Sequence, residues 1–581
     1  MRVFAMRMRN FRGMSDLTIR PRGHAVLVGP PGCGRTTVVD ALTRVLDADS
    51  TRGVPSDDLD FHRRDITQPL TIEVILGDLG DELREHFLYR TEPWDPAAQN
   101  VVAELDAALA DRPYERVLRL GYRAVWLPHE ERVDHCVYYL KGSNPDTDDF
   151  ERVWRADRKL LPFIRVGSPS GALTLTERSD FRRLVEHSEY NDLSASLSDV
   201  RDVLSGAAEQ IASSDQVRDA ITAATEGIDE LLPLVGDPTE TIRLIPGGTS
   251  LSALLRSLIA EFLTRDGPIP LYRAGSATSA ILAVAQAIAT VSKDRAVVAV
   301  DDLGEGMDAS AAAHLAGLLV TRSDQAWIST RQPGLAATFD TDQVIRLHFD
   351  ESSSRCAAQL PAKACLEREQ RVTLRHLGPQ LVRAAAGHVV VIVEGIDDAD
   401  SIEALSHRVL TTGRGIGLSA VRATVVHPGS LQQSGGHGAT ARFARAAALW
   451  QLRRIIVVDG DTDKDTIQSA LEAACAVIRL PEDFAIERTL LYGIDPNVCV
   501  PALRDLAEAF SLDVKIEEQP DQAAIDWAGR AILKKKGQGL HSTFIAALPD
   551  NHLPNLGIRL ITAIVDAARG RDGLIQLEAS S

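Results

Sequence analysis

Cysteine is scarce in this chain, and it has neither long apolar runs nor an excess of positive charge. The six cysteines are scattered without any CxxC pair, which argues against zinc knuckles and a disulfide framework. No apolar run approaches the roughly 20 residues that a membrane-spanning helix needs, so we expect no membrane association. The opening residues, MRVFAMRMRNFRGM, lack the apolar core of a signal peptide, and we therefore expect a cytoplasmic protein.

The charge balance is acidic, with 81 Asp and Glu against 63 Lys and Arg and a net charge of -18. This balance argues against a surface coated in positive charge. It is compatible with a nucleic-acid enzyme, because local basic patches and metal ions held by carboxylates can make the contact. At 581 residues the chain exceeds the size at which one hydrophobic core stops growing, so we expect at least two domains.

The periodicity of apolar residues predicts two α/β regions. The first fifty residues read as strand, strand, glycine-rich loop and helix, and an α/β rhythm returns over about 250–350 with the strands AVVAVDD and AWIST. SSSRCAAQLPAK is interpreted as a linker. Beyond it, the strands HVVVIVEG, TVVHPG, RIIVVDGD and AVIRLP alternate with helical patterns, which predicts a second, largely parallel sheet. We place the domain boundary between residues 372 and 373.

The stretch from about 95 to 245 is predicted to be a mostly helical insertion in the first domain. Apolar residues recur at alternating steps of four and three from Leu193 to Ile211, and again from Val217 to Leu231. Such steps predict a helical hairpin with an apolar seam. The seam either packs on its own domain or forms a dimer contact, and the sequence leaves both open.

The segment GPPGCGRTT has the spacing of a phosphate-binding P-loop between a strand and a helix. Its backbone N–H groups and helix N-terminus would cradle the phosphates of ATP, and a hydroxyl would reach magnesium. The usual lysine is replaced by an arginine, whose planar guanidinium does not fit the same position equally well. We therefore expect ATP to be bound and hydrolysed slowly. The residues predicted to contact nucleotide here are Gly29, Gly34, Arg35, Thr36 and Thr37.

Further segments resemble the ABC/SMC branch of P-loop ATPases. NFRGMSDLTI is similar to the opening strand pair of that branch, and RAGSATSAILAVAQAI is similar to its signature motif, with Gly275 and Ser276 before a helix. In AVVAVDD, the resemblance implies that Asp301 binds magnesium and that Asp302 stands at the catalytic base. Asp308 matches the D-loop aspartate, and Arg331 stands where the switch histidine is usual. With three altered positions (Arg35, Asp302 and Arg331), a non-hydrolysing dimerisation platform is an equal alternative.

Acidic residues follow two strands of the predicted C-terminal sheet. HVVVIVEGIDDAD ends a strand at Glu394 and places Asp398 at the start of a helix, and RRIIVVDGDTDKD ends another with Asp459 and Asp461. The carboxyl ends of parallel strands share one sheet edge, where active sites usually lie. We therefore predict that Glu394, Asp459 and Asp461 converge there and hold Mg²⁺ or Mn²⁺. Such ions can activate water and stabilise the leaving oxygen of a phosphodiester.

A strand-end glutamate and glycine followed by a later DxD resembles the Toprim pattern, and an ABC-type ATPase before Toprim resembles the OLD family of nucleases, which includes the nuclease of Gabija antiphage systems. The resemblance implies a metal-dependent DNA endonuclease or nickase, regulated by ATP, that assembles as a dimer or tetramer and has a helicase-like partner. With Glu487 added, the predicted metal ligands are Glu394, Asp398, Asp459, Asp461 and Glu487, and the resemblance implies that Glu394 and Lys536 are catalytic. The run Lys534, Lys535 and Lys536 leaves the choice of lysine open.

Several alternatives remain at this point. The whole chain could be an ATP-sensing, DNA-binding scaffold with a weak or partner-dependent nuclease. Lys536 could anchor a DNA phosphate instead of stabilising the transition state. Asp463 could be an alternate metal ligand or a surface acid, and His427 is assigned no catalytic role.

Overall fold

The structure, a computed structural model, describes residues 1–48, 58–104, 114–166, 261–264, 267–270, 275–294, 296–350, 354–361, 365–428, 438–514, 522–533 and 539–579, with a few single positions between them. By internal contacts the chain divides into a larger unit (Met1–Leu161, Asp301–Gly304 and Gln325–Ser581) and a smaller unit (Pro162–Val300 and Glu305–Asp324). This division does not fall at residue 372, and the boundary there stays a prediction. In the described residues no helix has both the length and the apolar character needed to cross a bilayer.

The described elements alternate between strands and helices along most of the chain. The strands are β1 Arg2–Phe11, β2 Met14–Ile19, β3 Ala25–Val28, β4 Leu70–Gly77, β5 Thr91–Asp95, β6 Asn100–Val101, β7 Glu115–Leu127, β8 Arg132–Tyr139, β9 Phe163–Arg165, β10 Glu261–Thr264, β11 Gly267–Pro270, β12 Val297–Val300, β13 Gln325–Ser329, β14 Val344–Phe349, β15 Arg355–Gln359, β16 Val389–Ile392, β17 Ala423–Val426, β18 Arg453–Val458, β19 Ala476–Arg479 and β20 Gly573–Gln576. The helices are Arg35–Leu46, Asp81–His86, Arg155–Leu160, Ser276–Asp294, Ala309–Arg322, Pro333–Ala336, Arg368–Ala385, Ile396–Thr411, Gly438–Ala448, Lys464–Ala473, Ile486–Leu491, Pro496–Ala509, Gln522–Leu533, Leu540–Ala547 and Asn555–Ala568.

The first sheet of the larger unit is antiparallel, in the order β2-β1-β4-β7-β5-β6, with β8 on β7. The prediction of a helical region beginning near residue 95 is wrong here, because β7 and β8 form a long antiparallel pair. In β7 the side chains of Leu118, Leu120, Tyr122 and Ala124 are buried at every second position, which is the period of a strand. The predicted seam from Leu193 to Leu231 lies outside the described residues.

The second sheet of the larger unit carries the P-loop strand. The fully buried β3 is parallel to both β13 and β14, and β14 pairs antiparallel with β15. The prediction that SSSRCAAQLPAK is a linker is therefore wrong over β15, which adds an edge strand to this sheet. In the smaller unit, β12 is parallel to β9 and β10 pairs with β11.

The third sheet is five-stranded, wholly parallel and ordered β17-β16-β18-β19-β20. Helices cover both faces, and the side chains of β16 alternate between two cores: Val389, Val391 and Val393 in one, Val390 and Ile392 in the other. Numbered along the chain, the strand order is 2-1-3-4-5. From β16 the next strand is added on one side of the sheet and all later strands are added on the other, so β16 and β18 flank a topological switch point. Ligands of open parallel sheets bind at such a point, outside the carboxyl ends of the strands. The predicted parallel sheet is present.

One hydrophobic core joins the second and third sheets. It includes Val26 of β3 and Val344 of β14, the inner face of helix Arg368–Ala385, and Ile456 of β18. This helix begins with a capping box between Glu367 and Gln370. Because apolar residues from both sides of position 372 share this core, the two predicted regions stabilise one another.

Candidate functional site

The P-loop turns sharply between β3 and helix Arg35–Leu46. Gly29 and Gly34 have φ values of 145° and 101°, which L side chains rarely adopt. A Cβ on Gly29 would also clash with the carbonyl oxygen of Leu347, and one on Gly34 would clash with the Met14 side chain. Glycine is thus required at both positions, as the motif predicts.

A hydrogen-bonded network lies where the motif places magnesium. The Thr36 hydroxyl donates to Asp301 Oδ1 over 3.2 Å, and Ser329, at the end of β13, donates to the same oxygen over 2.5 Å. Thr36 is exposed, and Thr37 and Asp301 are half-buried. Thr36 and Asp301, the two residues predicted near magnesium, are therefore in contact. Ser329 belongs to the same hydrogen-bonded network, and no motif indicated it.

Two arginines hold the backbone of the loop. Arg35 is 8% exposed and donates to the Gly29 carbonyl, while its Nε is buried without a partner among the described residues. Arg355 of β15 donates to the carbonyls of Gly32 and Gly13 over 3.0 and 2.8 Å. No motif in the sequence indicates Arg355, because only the pairing of β15 with β14 brings it to the loop.

Asp302, at the predicted position of the catalytic base, forms an ion pair with Arg331. Asp302 has a φ of 50°, accepts from Arg331 over 2.7 Å, and its N–H donates to Ser329 Oγ over 2.8 Å. Asp302 and Arg331, two of the three residues that differ from the ATPase pattern, are thus paired with one another. A carboxylate bound to a guanidinium is not directed at an attacking water, which fits slow hydrolysis.

The signature-like residues belong to the smaller unit. Gly275 is exposed, and Ser276 begins the helix Ser276–Asp294. Asp308 caps helix Ala309–Arg322 by accepting from the N–H groups of Ser310 and Ala311 over 2.9 and 3.0 Å. A nucleotide contact across a dimer stays a prediction for these residues.

At the switch point of the third sheet, an acidic residue closely follows each of β16 and β18: Glu394 after β16 and Asp459 after β18. Ile392 lies opposite Ile456 in a parallel register, so Glu394 follows β16 level with Val458, and Asp459 comes one residue later on β18. Neighbouring strands are about 4.8 Å apart, which makes the two backbone positions adjacent. Asp398 lies in the first turn of helix Ile396–Thr411, fixed by the Gly395 N–H over 2.9 Å.

These acids act on one another electrostatically. The pKa of Asp398 is raised to about 6, chiefly by burial and also by the charges of Glu394 and Glu487, while the Gly395 hydrogen bond and His541 act to lower it. Burial and then the charges of the other four acids together raise the pKa of Asp459 to about 8. Four predicted ligands thus act electrostatically on Asp459: Glu394, Asp398, Asp461 and Glu487.

The side chains do not form a ready-made ligand set. Among the described residues, no group of three or more His, Cys, Asp or Glu is arranged to hold a metal ion. The strand register places Glu394 and Asp459 near one another at the sheet edge, and the convergence of Glu394, Asp459 and Asp461 on a metal ion stays a prediction. Asp463 is exposed and caps helix Lys464–Ala473, which favours the surface-acid alternative.

The lysine segment is flanked by a buried histidine, His541, which no sequence motif indicates. Lys534 and Lys536 lie outside the described residues, and Lys535 is exposed. His541 is 1% exposed, with Nε2 3.0 Å from the Leu533 carbonyl and Nδ1 2.6 Å from Ser401 Oγ. A carbonyl only accepts, so Nε2 donates to Leu533, and the Ser401 hydroxyl that meets Nδ1 also lies 2.7 Å from the Asp397 carbonyl. His541 thereby ties both ends of the lysine segment to helix Ile396–Thr411.

No known protein-family profile matches the chain, and no curated protein shows significant sequence similarity to it. Solved structures similar to it include an SMC head bound to the C-terminal winged-helix domain of ScpA, at 11% identity and a TM-score of 0.32, covering 63% of this chain and 99% of that one. Another is the SMC head domain from Thermotoga maritima, at 10% identity and a TM-score of 0.28, covering 62% and 100%. At such TM-scores the nucleotide site rests on its local geometry alone.

Proposed function

We propose that this chain is a metal-dependent DNA endonuclease or nickase that is regulated by nucleotide at its P-loop. The observation that carries the proposal is the placement of Glu394 and Asp459 side by side at the switch point of a parallel sheet. Asp398 and Glu487 add two further acids, and burial together with the charges of these neighbours raises the pKa of Asp459. A cluster of this kind suits a divalent cation better than any role without one.

The donor set fits Mg²⁺ or Mn²⁺. All five side chains offer hard carboxylate oxygens, and the Gly395 N–H holds one oxygen of Asp398 in place. A bound ion would neutralise the site and polarise a phosphodiester there. Lys536 would place a positive charge beside the scissile phosphate, on a segment whose flanks His541 secures.

The P-loop is proposed to bind ATP as a ligand more than as a fuel. Thr36 and Asp301 supply the magnesium position, while Asp302 is engaged by Arg331 and Arg35 by the Gly29 carbonyl. The sequence resemblance supports the wider setting: defence against phage or other invading DNA, a homo-oligomer of two or four chains, and a helicase-like partner.

The direct test incubates purified protein and supercoiled plasmid with Mg²⁺ or Mn²⁺, with and without ATP, alongside an assay of ATP turnover. We expect nicked or linear product that requires the metal and changes with ATP. Asp459→Asn should remove the product, whereas Asp463→Asn, its matched control on the same loop, should retain it. Equal cleavage by wild type and Asp459→Asn would refute the proposed site.

The second candidate is an ATP-sensing, DNA-binding scaffold whose nuclease is weak or needs a partner. The Arg331–Asp302 pair favours it, because a nucleotide held without turnover suits a sensor. This candidate predicts DNA binding that responds to ATP, with no cleavage by the isolated protein in either metal.

A further inference from the structure

A second charged feature lies at the opposite end of the third sheet from the carboxylates. A cavity of about 940 Å³ opens at the amino edge of the sheet, where β16 begins at Val389, β18 at Arg453, and Cys475 precedes β19. Its other wall is the end of β14, with Arg346, His348 and Asp350. The volume is in the range of small-molecule sites, which span roughly 300–1,000 Å³.

The cavity is strongly basic. Among its described lining residues five are arginines and one is acidic; the arginines are Arg346, Arg422, Arg453, Arg454 and Arg569. Within the described part of the chain, only Arg453 of these has a carboxylate partner, Asp572 at 2.5 Å. The cavity is therefore a local concentration of positive charge in a protein whose net charge is -18.

The floor of the cavity is formed by two buried side chains. Arg346 is 2% exposed and donates only to backbone carbonyls, those of Ala385, Gly387, Trp450 and Gln451, at 3.1–3.3 Å. His348 is 4% exposed; its Nδ1 lies 3.2 Å from the Phe349 carbonyl, and its Nε2 has no partner among the described residues. A buried cation without an anion and a buried nitrogen without a partner are both costly, and a bound ligand would offset both.

The field of this cluster acts on its histidines. Burial lowers the pKa of His388, and the charges of Arg346 and Arg422 lower it further. Burial and the charge of Arg346 also lower the pKa of His348. The arginine contributions to these pKa shifts show that both histidines lie in the positive field of the cluster.

We propose that this cavity binds a small, multiply charged phosphate anion, of the size of a diphosphate or triphosphate group. Guanidinium groups match phosphate oxygens with paired hydrogen bonds. Arg422 and Arg569 are exposed at the rim and would close on the anion, above the floor formed by Arg346. A small anion is favoured over a DNA duplex, because Arg346 and His348 are only 2% and 4% exposed. The inference is independent of the proposed nuclease activity.

The test measures binding of pyrophosphate and tripolyphosphate to the full chain by calorimetry in EDTA. Wild type is compared with Arg422→Gln/Arg569→Gln, with Arg414→Gln as an exposed control outside the cavity, and with Thr36→Ala in the P-loop. We expect the double variant to bind about 100-fold more weakly, about tenfold for each lost guanidinium contact. The Arg414→Gln and Thr36→Ala proteins should retain cavity binding. Circular dichroism checks that the exposed substitutions leave the fold intact.

Two results would overturn the inference. Pyrophosphate and tripolyphosphate affinities that are unchanged in the double variant, or lost only in Thr36→Ala, would assign all anion binding to the P-loop. A salt titration of duplex binding is the second arm. A salt slope that falls by about two in the double variant, with polyphosphate affinity unchanged, would make these arginines DNA-backbone contacts.

Discussion

The nucleotide site and the carboxylate site are built in opposite ways. At the P-loop the charged and polar side chains already have protein partners: Thr36 and Ser329 with Asp301, and Arg331 with Asp302. At the switch point of the third sheet, like charges face one another, and the pKa of Asp459 rises to about 8. The first site is organised by the chain itself. At the second site, burial and the like charges of neighbouring acids disfavour ionisation of Asp459.

The largest effect is expected from removing the Glu394 carboxylate at the second site. Glu394→Ala should lower nicking at least about 100-fold, because it deletes a proposed ligand and no core residue. Plasmid nicking in Mg²⁺ and in Mn²⁺ measures the effect, and circular dichroism confirms the fold. Full activity in a folded Glu394→Ala protein would end the metal-site assignment.

The lysine segment supplies the next largest effect. Lys536→Ala should slow cleavage at saturating DNA about 100-fold while DNA affinity changes little, if Lys536 stabilises charge that develops in the transition state. Lys535→Ala is the matched control on the neighbouring, exposed position. If instead only binding weakens and the salt slope drops by about one, Lys536 is a phosphate anchor.

The repulsion itself can be measured through pH. The folded-state pKa values of Asp398 and Asp459, about 6 and about 8, lie above the ordinary value of roughly 4. Both acids are protonated in either state at low pH, so their penalty is absent there and grows as pH rises from about 4 through 8. In EDTA the Tm should therefore fall by a few degrees over that range. Saturating Mg²⁺ should raise the Tm more at pH 8.5 than at pH 5.

The control for this prediction is Asp459→Asn, which carries no charge at either pH. Its Tm in EDTA should depend less on pH than that of the wild type, and Mg²⁺ should stabilise it less. A wild-type Tm that is flat between pH 5 and 8.5, or a Mg²⁺ effect of equal size at both, would show that the acids do not repel as described.

The smallest effect is expected at the nucleotide site. Arg35→Lys restores the usual P-loop residue, yet Asp302 stays bound to Arg331, so ATP turnover should rise less than about tenfold. Calorimetric ATP binding and phosphate release measure the two parts separately. Rapid turnover by the unmodified protein would show that the three departures do not impair hydrolysis.

Local pattern predicted much of this architecture. The spacing of glycines in GPPGCGRTT specifies the turn after β3, because Gly29 and Gly34 adopt backbone angles that few other residues tolerate. The apolar runs of β16 and β18 predict buried parallel strands, and their last residues predict an acidic sheet edge. The prediction of a mostly helical region from residue 95 onward is wrong over β7 and β8, which are long strands; in β7 buried residues recur at every second position.

What the sequence by itself determined about this protein is local: the glycine turn, the ends of the parallel strands, and which acids follow them. The tertiary structure alone decided which distant residues meet. Arg355 reaches the P-loop through the β14–β15 pairing, and His541 meets Ser401 across 140 positions. Arg346 lies beneath the basic cavity through packing against helix Arg368–Ala385. The physical reason is that such contacts follow from strand order and helix packing, which couple positions far apart along the chain, whereas periodicity and turn chemistry act only over a few residues.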